Sequence, residues 1–161
     1  MPTITPEEAG GKNVCALLDA IAWSEIGPGL LAHSDNGYDV LVGSTDHAPL
    51  LFDSYATHPD VYSPRLRSTA AGRYQLLYRY WVAYSRMLGL PDFSPLSQDR
   101  IALQQIREQG ALGHIHVGDL AAAIAAVNDI WASLPGSPYG QHEQDMASLQ
   151  GAYVAAGGTL A

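Results

Sequence analysis

The chain holds a single cysteine, Cys15, in 161 residues. One thiol excludes an internal disulfide framework and a zinc site built on cysteines. Cys15 sits among Val14, Leu17 and Leu18 and reads as a small buried hydrophobe rather than an activated nucleophile. Basic residues are also scarce. Eight Lys and Arg against sixteen Asp and Glu leave a net charge of −8. That balance speaks against nucleic acid as a partner, because phosphate binding needs clustered Lys and Arg, and against a polybasic membrane anchor. The opening MPTITPEEAGGK lacks a basic n-region and an apolar h-region, so no secretory signal is expected. Uninterrupted apolar runs of about 18 residues are missing, so no transmembrane helix is expected. The protein is expected to fold in a cytoplasm; if it works elsewhere, something else must release it.

What is present suits a folded domain. Apolar residues make up 47% and charged residues 15% of the chain, and at this length roughly 70% of the unfolded surface can be buried. Residues 1–161 are read as one domain, with residues 1–10, polar and carrying two prolines, as a loose arm. Val14, Leu17, Leu18, Ile21 and Ala22 follow helical spacing up to Glu25, and Gly27-Pro28-Gly29 ends that helix. Tyr38 to Gly43, behind the turn signal Asp35-Asn36-Gly37, reads as a short strand with Leu50-Leu51-Phe52 as an antiparallel partner. An irregular loop covers Ser54 to Thr69. A helical pattern returns from Gly72 to Leu88, and Ser94-Pro95 opens a helix to about Glu108. A shorter helix starts near Asp119 and reaches Val127, and a last one spans His142 to Ala156. The sum is a mostly helical α+β chain with a small sheet near its front.

Glu25 is the most informative residue. Eleven positions after Val14 is three helical turns and about 20°, so Glu25 continues the inward stripe at the helix C-terminus. Desolvation and the negative end of the helix dipole both favour its protonated form, as a general acid requires. The plainer reading is a solvent-facing last residue of an ordinary helix, and one acid on one stripe is not a motif.

Several blocks in one order carry more. Ala22-Trp23-Ser24-Glu25, Gly37-Tyr38-Asp39-Val40, Ser68-Thr69-Ala70-Ala71-Gly72-Arg73-Tyr74-Gln75-Leu76-Leu77, Leu88 to Pro95, Ser97-Gln98-Asp99, Ala102 to Ile106, Ile130-Trp131-Ala132-Ser133-Leu134-Pro135-Gly136 and Tyr139-Gly140-Gln141 resemble the bacteriophage lambda endolysin family from residue 13 to residue 159. The resemblance implies a lysozyme-like α+β fold, with the small sheet flanking an active-site cleft. It implies lytic transglycosylase activity on the glycan strands of peptidoglycan, with Glu25 as the catalytic acid, no cofactor and no metal. The residues from Gly27 to Asn36 and around Thr45 to Tyr55 depart from the family pattern, so the rim of the site is not carried across.

Beside that resemblance, the residues keep their own readings. Ser68, Thr69, Gly72, Arg73, Tyr74 and Gln75 form a segment where small residues let backbone approach a sugar, and Tyr74 and Gln75 offer an aromatic face and an amide. An ordinary entry into a helix, with Tyr74 in the core, fits about as well, and the matched block favours the sugar-binding reading. Tyr38 and Asp39 join the substrate-binding set, Asp39 also as the second carboxylate of an alternative hydrolytic lysozyme; Asp35 and Asp53 read as turn residues. Tyr139, beside Gly140, reads as a loop residue closing on glycan, and Trp131 as core. His114 and His116, two apart, do not converge on one helical face, which disfavours a metal-dependent amidase. A non-catalytic glycan-binding module would keep the aromatic contacts without needing Glu25. The family further implies a monomer that waits in the host cytoplasm until a holin opens the membrane.

Overall fold

The helix α2 (Lys12–Ile26) carries too many apolar residues for a single stripe. Val14, Ala16, Leu17, Leu18, Ala20, Ile21 and Ala22 are all fully buried, so α2 is enclosed on nearly every side, as a helix apolar all round must be. Each fully buried Leu or Ile contributes about 1.5–3 kcal/mol. The structure is a computed structural model and describes residues 1–140 and 142–161. Gln141, the last residue of the 139–141 block, lies outside the described residues. The chain separates into two compact units: residues 1–25 with 102–161, and residues 26–101.

The first unit contains α1 (Pro6–Ala9), nearly all of α2, the second half of α5 (Pro95–Glu108), α6 (Leu112–His116), α7 (Leu120–Val127) and α8 (Met146–Ala155). The expected loose arm at residues 1–10 is instead anchored. Thr5 caps α1 in a reciprocal capping box with Glu8, and Ile4 and Ala9 are buried. The local cap and two apolar anchors outweigh the entropy of a polar terminus. Asn13 on α2 ties down the other end of the chain: its Oδ1 accepts from Thr159 N–H at 3.0 Å, and its Nδ2 donates to Ile115 O at 3.1 Å. Cys15 is buried, and its thiol donates to Ile4 O at 3.8 Å. Asp119 caps α7. The last helix begins at Met146 rather than His142, because Asp145 is the better cap and Gln144 N–H is spent on Ser133 O at 2.8 Å.

The second unit contains α3 (Pro28–Ala32), α4 (Tyr78–Leu88) and the start of α5. Its core is Ala71, Leu76, Trp81, Phe93 and Ile101, with Leu41, Phe52 and Leu90 packed against it. Phe93 is the hub, its ring 5.2 Å from Trp81 and 4.8 Å from His58. Gly27, at φ +84°, does end α2, but Pro28 immediately opens α3.

Two expectations fail here. The small sheet is not formed as strands: among the described residues the antiparallel contacts are isolated bridges, Val40 with Leu51, Leu41 with Ala71, Ala71 with Leu76 and two more in the loop between. The reason is local. The N–H groups of Tyr38, Val40 and Ser44 are spent on turns back to Asp35, Gly37 and Leu41, leaving Leu41 N–H for Leu50 O and Val42 N–H for Ala70 O. The helix expected from Gly72 starts only at Tyr78. Residues 71–76 form a tight hairpin in which Ala71 and Leu76 exchange both backbone hydrogen bonds, at 3.0 and 2.9 Å. Gly72 and Gln75 both adopt positive φ, +80° and +49°, which no helix contains.

Candidate active site

In the first unit, Glu25 lies in the last turn of α2, half-buried, and meets Ser133. Ser133 stands in the series of turns that follows α7, between the buried side chains of Trp131 and Leu134 that hold the segment in place. Its hydroxyl donates to Glu25 Oε1 at 2.5 Å, and its N–H donates to the same oxygen at 3.3 Å. Ser24, the residue before Glu25, donates from its hydroxyl to Ser133 Oγ at 2.8 Å. Burial raises the pKa of Glu25 above the ordinary carboxylate value, and the two bonds from Ser133 pull it down without cancelling the rise. The carboxyl therefore keeps its proton more readily than an ordinary carboxylate, and two donors stand ready to stabilise the anion once the proton is given up. Neither Ser24 nor Ser133 stood out as a site residue in the sequence. Each lies in a matched block, which is the one signal that could have found them.

Tyr139 belongs to the same unit. Its ring is 56% exposed, while its hydroxyl is tethered to Asp129 O at 2.6 Å.

The other expected site residues lie in the second unit and cluster around Asp99, a fully buried acid on α5. Tyr38 and Tyr74 both donate their phenol hydroxyls to Asp99 Oδ1, at 2.8 and 2.6 Å. The Arg73 guanidinium lies over both rings, 5.3 and 5.9 Å from their centroids, and Nη1 donates to Asn36 O. Burial and the negative charge of Asp99 push the Tyr74 hydroxyl well above its ordinary pKa. Gln98, next to Asp99, gives its Oε1 to Arg73 N–H at 2.9 Å and donates from Nε2 to Tyr38 O and Phe93 O, each at 3.0 Å. Gly72 is required there, since a Cβ would collide with the Gln98 carboxamide.

This geometry corrects part of the sequence reading. Tyr38, Arg73 and Tyr74 are 2%, 1% and 5% exposed, so they cannot offer an aromatic face or a guanidinium to a sugar. They brace the 71–76 hairpin against α5. The half-buried members keep polar atoms nearer the surface. Asp39 Oδ1 accepts Asp35 N–H at 3.0 Å, Ser68 Oγ accepts Ala70 N–H at 3.1 Å, and Thr69 Oγ1 accepts Tyr78 N–H at 3.1 Å at the start of α4. Gln75 donates to Gly72 O at 2.9 Å. Asp35 accepts the Tyr55 hydroxyl at 2.6 Å. Gln98 and Asp99, which organise this cluster, were missed as functional because a buried polar pair on a helix gives no pattern distinct from its core face.

Comparison with known proteins decides the relationship. The Endolysin family pattern matches residues 15–160. The chain belongs to the endolysin family. It is 50% identical over 149 residues to the endolysin of Escherichia phage lambda, covering 90% of this chain and 91% of that protein. It is 44% identical to the endolysin of Escherichia phage P2 over the full length of both. The fold is that of bacteriophage lambda lysozyme: the structure of that enzyme complexed with a chitohexasaccharide superposes with a TM-score of 0.86 at 47% identity, covering all of both chains. Within this endolysin-family chain, Glu25, its partner Ser133 and the Asp99 cluster all fall inside the matched span.

Proposed function

We propose that this endolysin-family protein degrades peptidoglycan as a lytic transglycosylase, with Glu25 as its one acid–base group. The observation that carries the reading is the buried Glu25 carboxyl at the end of α2, raised in pKa and held by Ser133. A hydrolase of either stereochemical type needs a second carboxylate at a set distance. A transglycosylase needs one. Glu25 gives its proton to the oxygen of the β-1,4 bond as the C1–O bond breaks, and the leaving N-acetylglucosamine keeps the electron pair. The C6 hydroxyl of the N-acetylmuramic acid then bonds to C1 and returns its proton to Glu25. The product is a 1,6-anhydro ring, no water is consumed, and the internal nucleophile gains the advantage of proximity.

The related lambda lysozyme was solved with a chitohexasaccharide bound, which supports an N-acetylated glycan strand as the ligand here. In the first unit Tyr139, with its exposed ring and tethered hydroxyl, is suited to touch such a glycan; in the second unit the half-buried Asp39, Ser68, Thr69 and Gln75 are. Tyr38, Gly72, Arg73 and Tyr74 shape the 71–76 hairpin of the second unit. The chain works as one catalytic domain and a monomer without a cofactor. It waits in the host cytoplasm until a holin-type lesion admits it to the wall.

Mass spectrometry of digested peptidoglycan tests the reaction. Anhydro-muropeptides, lighter by one water and without a reducing end, are expected. Reducing muropeptides alone would instead mark a hydrolytic lysozyme, with Asp39 as the candidate second carboxylate.

A further inference from the structure

We infer that Ser133, steadied by Ser24, fixes which oxygen of Glu25 carries the catalytic proton, keeping Oε1 as an acceptor and leaving Oε2 as the acid. This rests on the reading of Glu25 as the acid and deepens it.

Both donors of Ser133, the hydroxyl at 2.5 Å and the N–H at 3.3 Å, converge on Oε1. An oxygen that accepts two hydrogen bonds is the carbonyl-type oxygen of a carboxylic acid, because the protonated oxygen is the poorer acceptor. The proton therefore resides on Oε2. The Ser133 hydroxyl has one hydrogen and spends it on Glu25, so toward Ser24 it can only accept. Ser24, on α2 directly beside Glu25, supplies that donation at 2.8 Å, the shorter of its two contacts with Ser133, the other being Ser133 O at 3.1 Å. Ser133 O is itself held by Gln144 N–H at 2.8 Å. The chain Ser24 to Ser133 to Glu25 thus has one direction. Its three members come from two segments about 108 residues apart in sequence.

The same arrangement serves the transition state. As Glu25 releases its proton, negative charge grows on the carboxyl, and two aligned donors are already in place to meet it. Burial and the two Ser133 bonds are the influences on Glu25, and they oppose each other. Ser133 is accordingly a positioning residue that acts through Glu25.

The test is steady-state kinetics of Ser133→Ala and Ser133→Thr on soluble glycan strands across a pH series, with circular dichroism to check folding. Ser133→Ala is expected to lower kcat about ten-fold or more, the loss of one hydrogen bond to a developing charge, with KM unchanged. The alkaline limb of its kcat profile should move to higher pH, since the anion has lost a donor. Ser133→Thr, which keeps the hydroxyl, should restore most of both. Should Ser133→Ala not fold, Ser133→Cys, with a weaker donor of similar shape, carries the comparison. A folded Ser133→Ala with wild-type kcat and pH profile overturns the inference. So does equal loss in the Ala and Thr variants, which would mean packing, or a change confined to KM, which would mean substrate contact. Glu25→Gln is the separate control: retained lysis there would sink the acid assignment itself, whatever Ser133 does.

Discussion

Replacing Asp99 by alanine removes the oxygen that two buried phenols share. Tyr38 and Tyr74 each donate to Asp99 Oδ1, and the Arg73 guanidinium lies over both rings. All four residues are almost completely buried, so no water replaces the lost acceptor. A hydrogen bond to a charged group is worth about 1.5–3 kcal/mol, which puts the loss for two such bonds at about 3–6 kcal/mol. For a chain of this size each kcal/mol moves Tm by roughly 2–4 °C. Asp99→Ala is therefore expected to melt roughly 6–24 °C below the wild type in a circular-dichroism scan at pH 7, and Tyr74→Phe, losing one bond, roughly 3–12 °C below. Turbidity clearing of permeabilised cells, measured well under the lower melting temperature, gives the second readout. Tyr74→Phe should lyse at nearly the wild-type rate per folded molecule, because its hydroxyl braces the hairpin and meets no glycan. A Tyr74→Phe protein with unchanged Tm and activity reduced ten-fold would refute the reasoning and return Tyr74 to the substrate.

Two further outcomes follow from buried titratable groups. Burial raises the pKa of Glu25 in the folded state, so its contribution is favourable below the unfolded carboxylate range and is lost as pH rises through the folded value. Glu25→Gln should consequently be inactive yet melt higher than the wild type at pH 7, with the gap closing toward pH 4; a lower Tm at pH 7 contradicts this. His58 has the opposite sign. It is buried against Phe93, its Nε2 bonds Leu76 O at 2.8 Å, its Nδ1 accepts Asp60 N–H at 3.0 Å, and burial lowers its pKa. Its stabilisation is present above about pH 6.5, the unfolded value, and is lost as pH falls through the folded value. Urea unfolding at pH 7.5 and 5.5 should show a smaller loss on acidification in His58→Gln than in the wild type, and equal losses would exclude His58 as the source.

Much of the helical framework was legible because its signals are local. Ser94-Pro95 announces α5 at Pro95, Asp119 announces α7, and the apolar run of α2 fixes it as core and delivers Glu25 to its last turn. The 71–76 hairpin was not legible. Leu76, Leu77, Tyr80 and Trp81 keep a helical period that begins at the hairpin's last residue, and Gly72 alone does not stop a helix from being read back across it. What stops it is distant: Val40 O takes Gly72 N–H at 2.8 Å, and the Gln98 carboxamide occupies the space a side chain at 72 would need. The expected sheet failed for the converse reason, since alternating residues at 38–43 promised a ladder whose N–H groups local turns then consumed.

By itself the sequence determined an acidic, cysteine-poor, mostly helical chain with one carboxyl at the end of a long apolar helix, because composition, caps and periodicity act within a few residues. Only the tertiary structure decided what surrounds that carboxyl and what the buried polar residues of the second unit do. Ser133 reaches Glu25 from 108 positions away, and Asp99 gathers Tyr38 and Tyr74 from 61 and 25. A hydrogen bond is decided by ångströms in space, and no local propensity encodes that proximity.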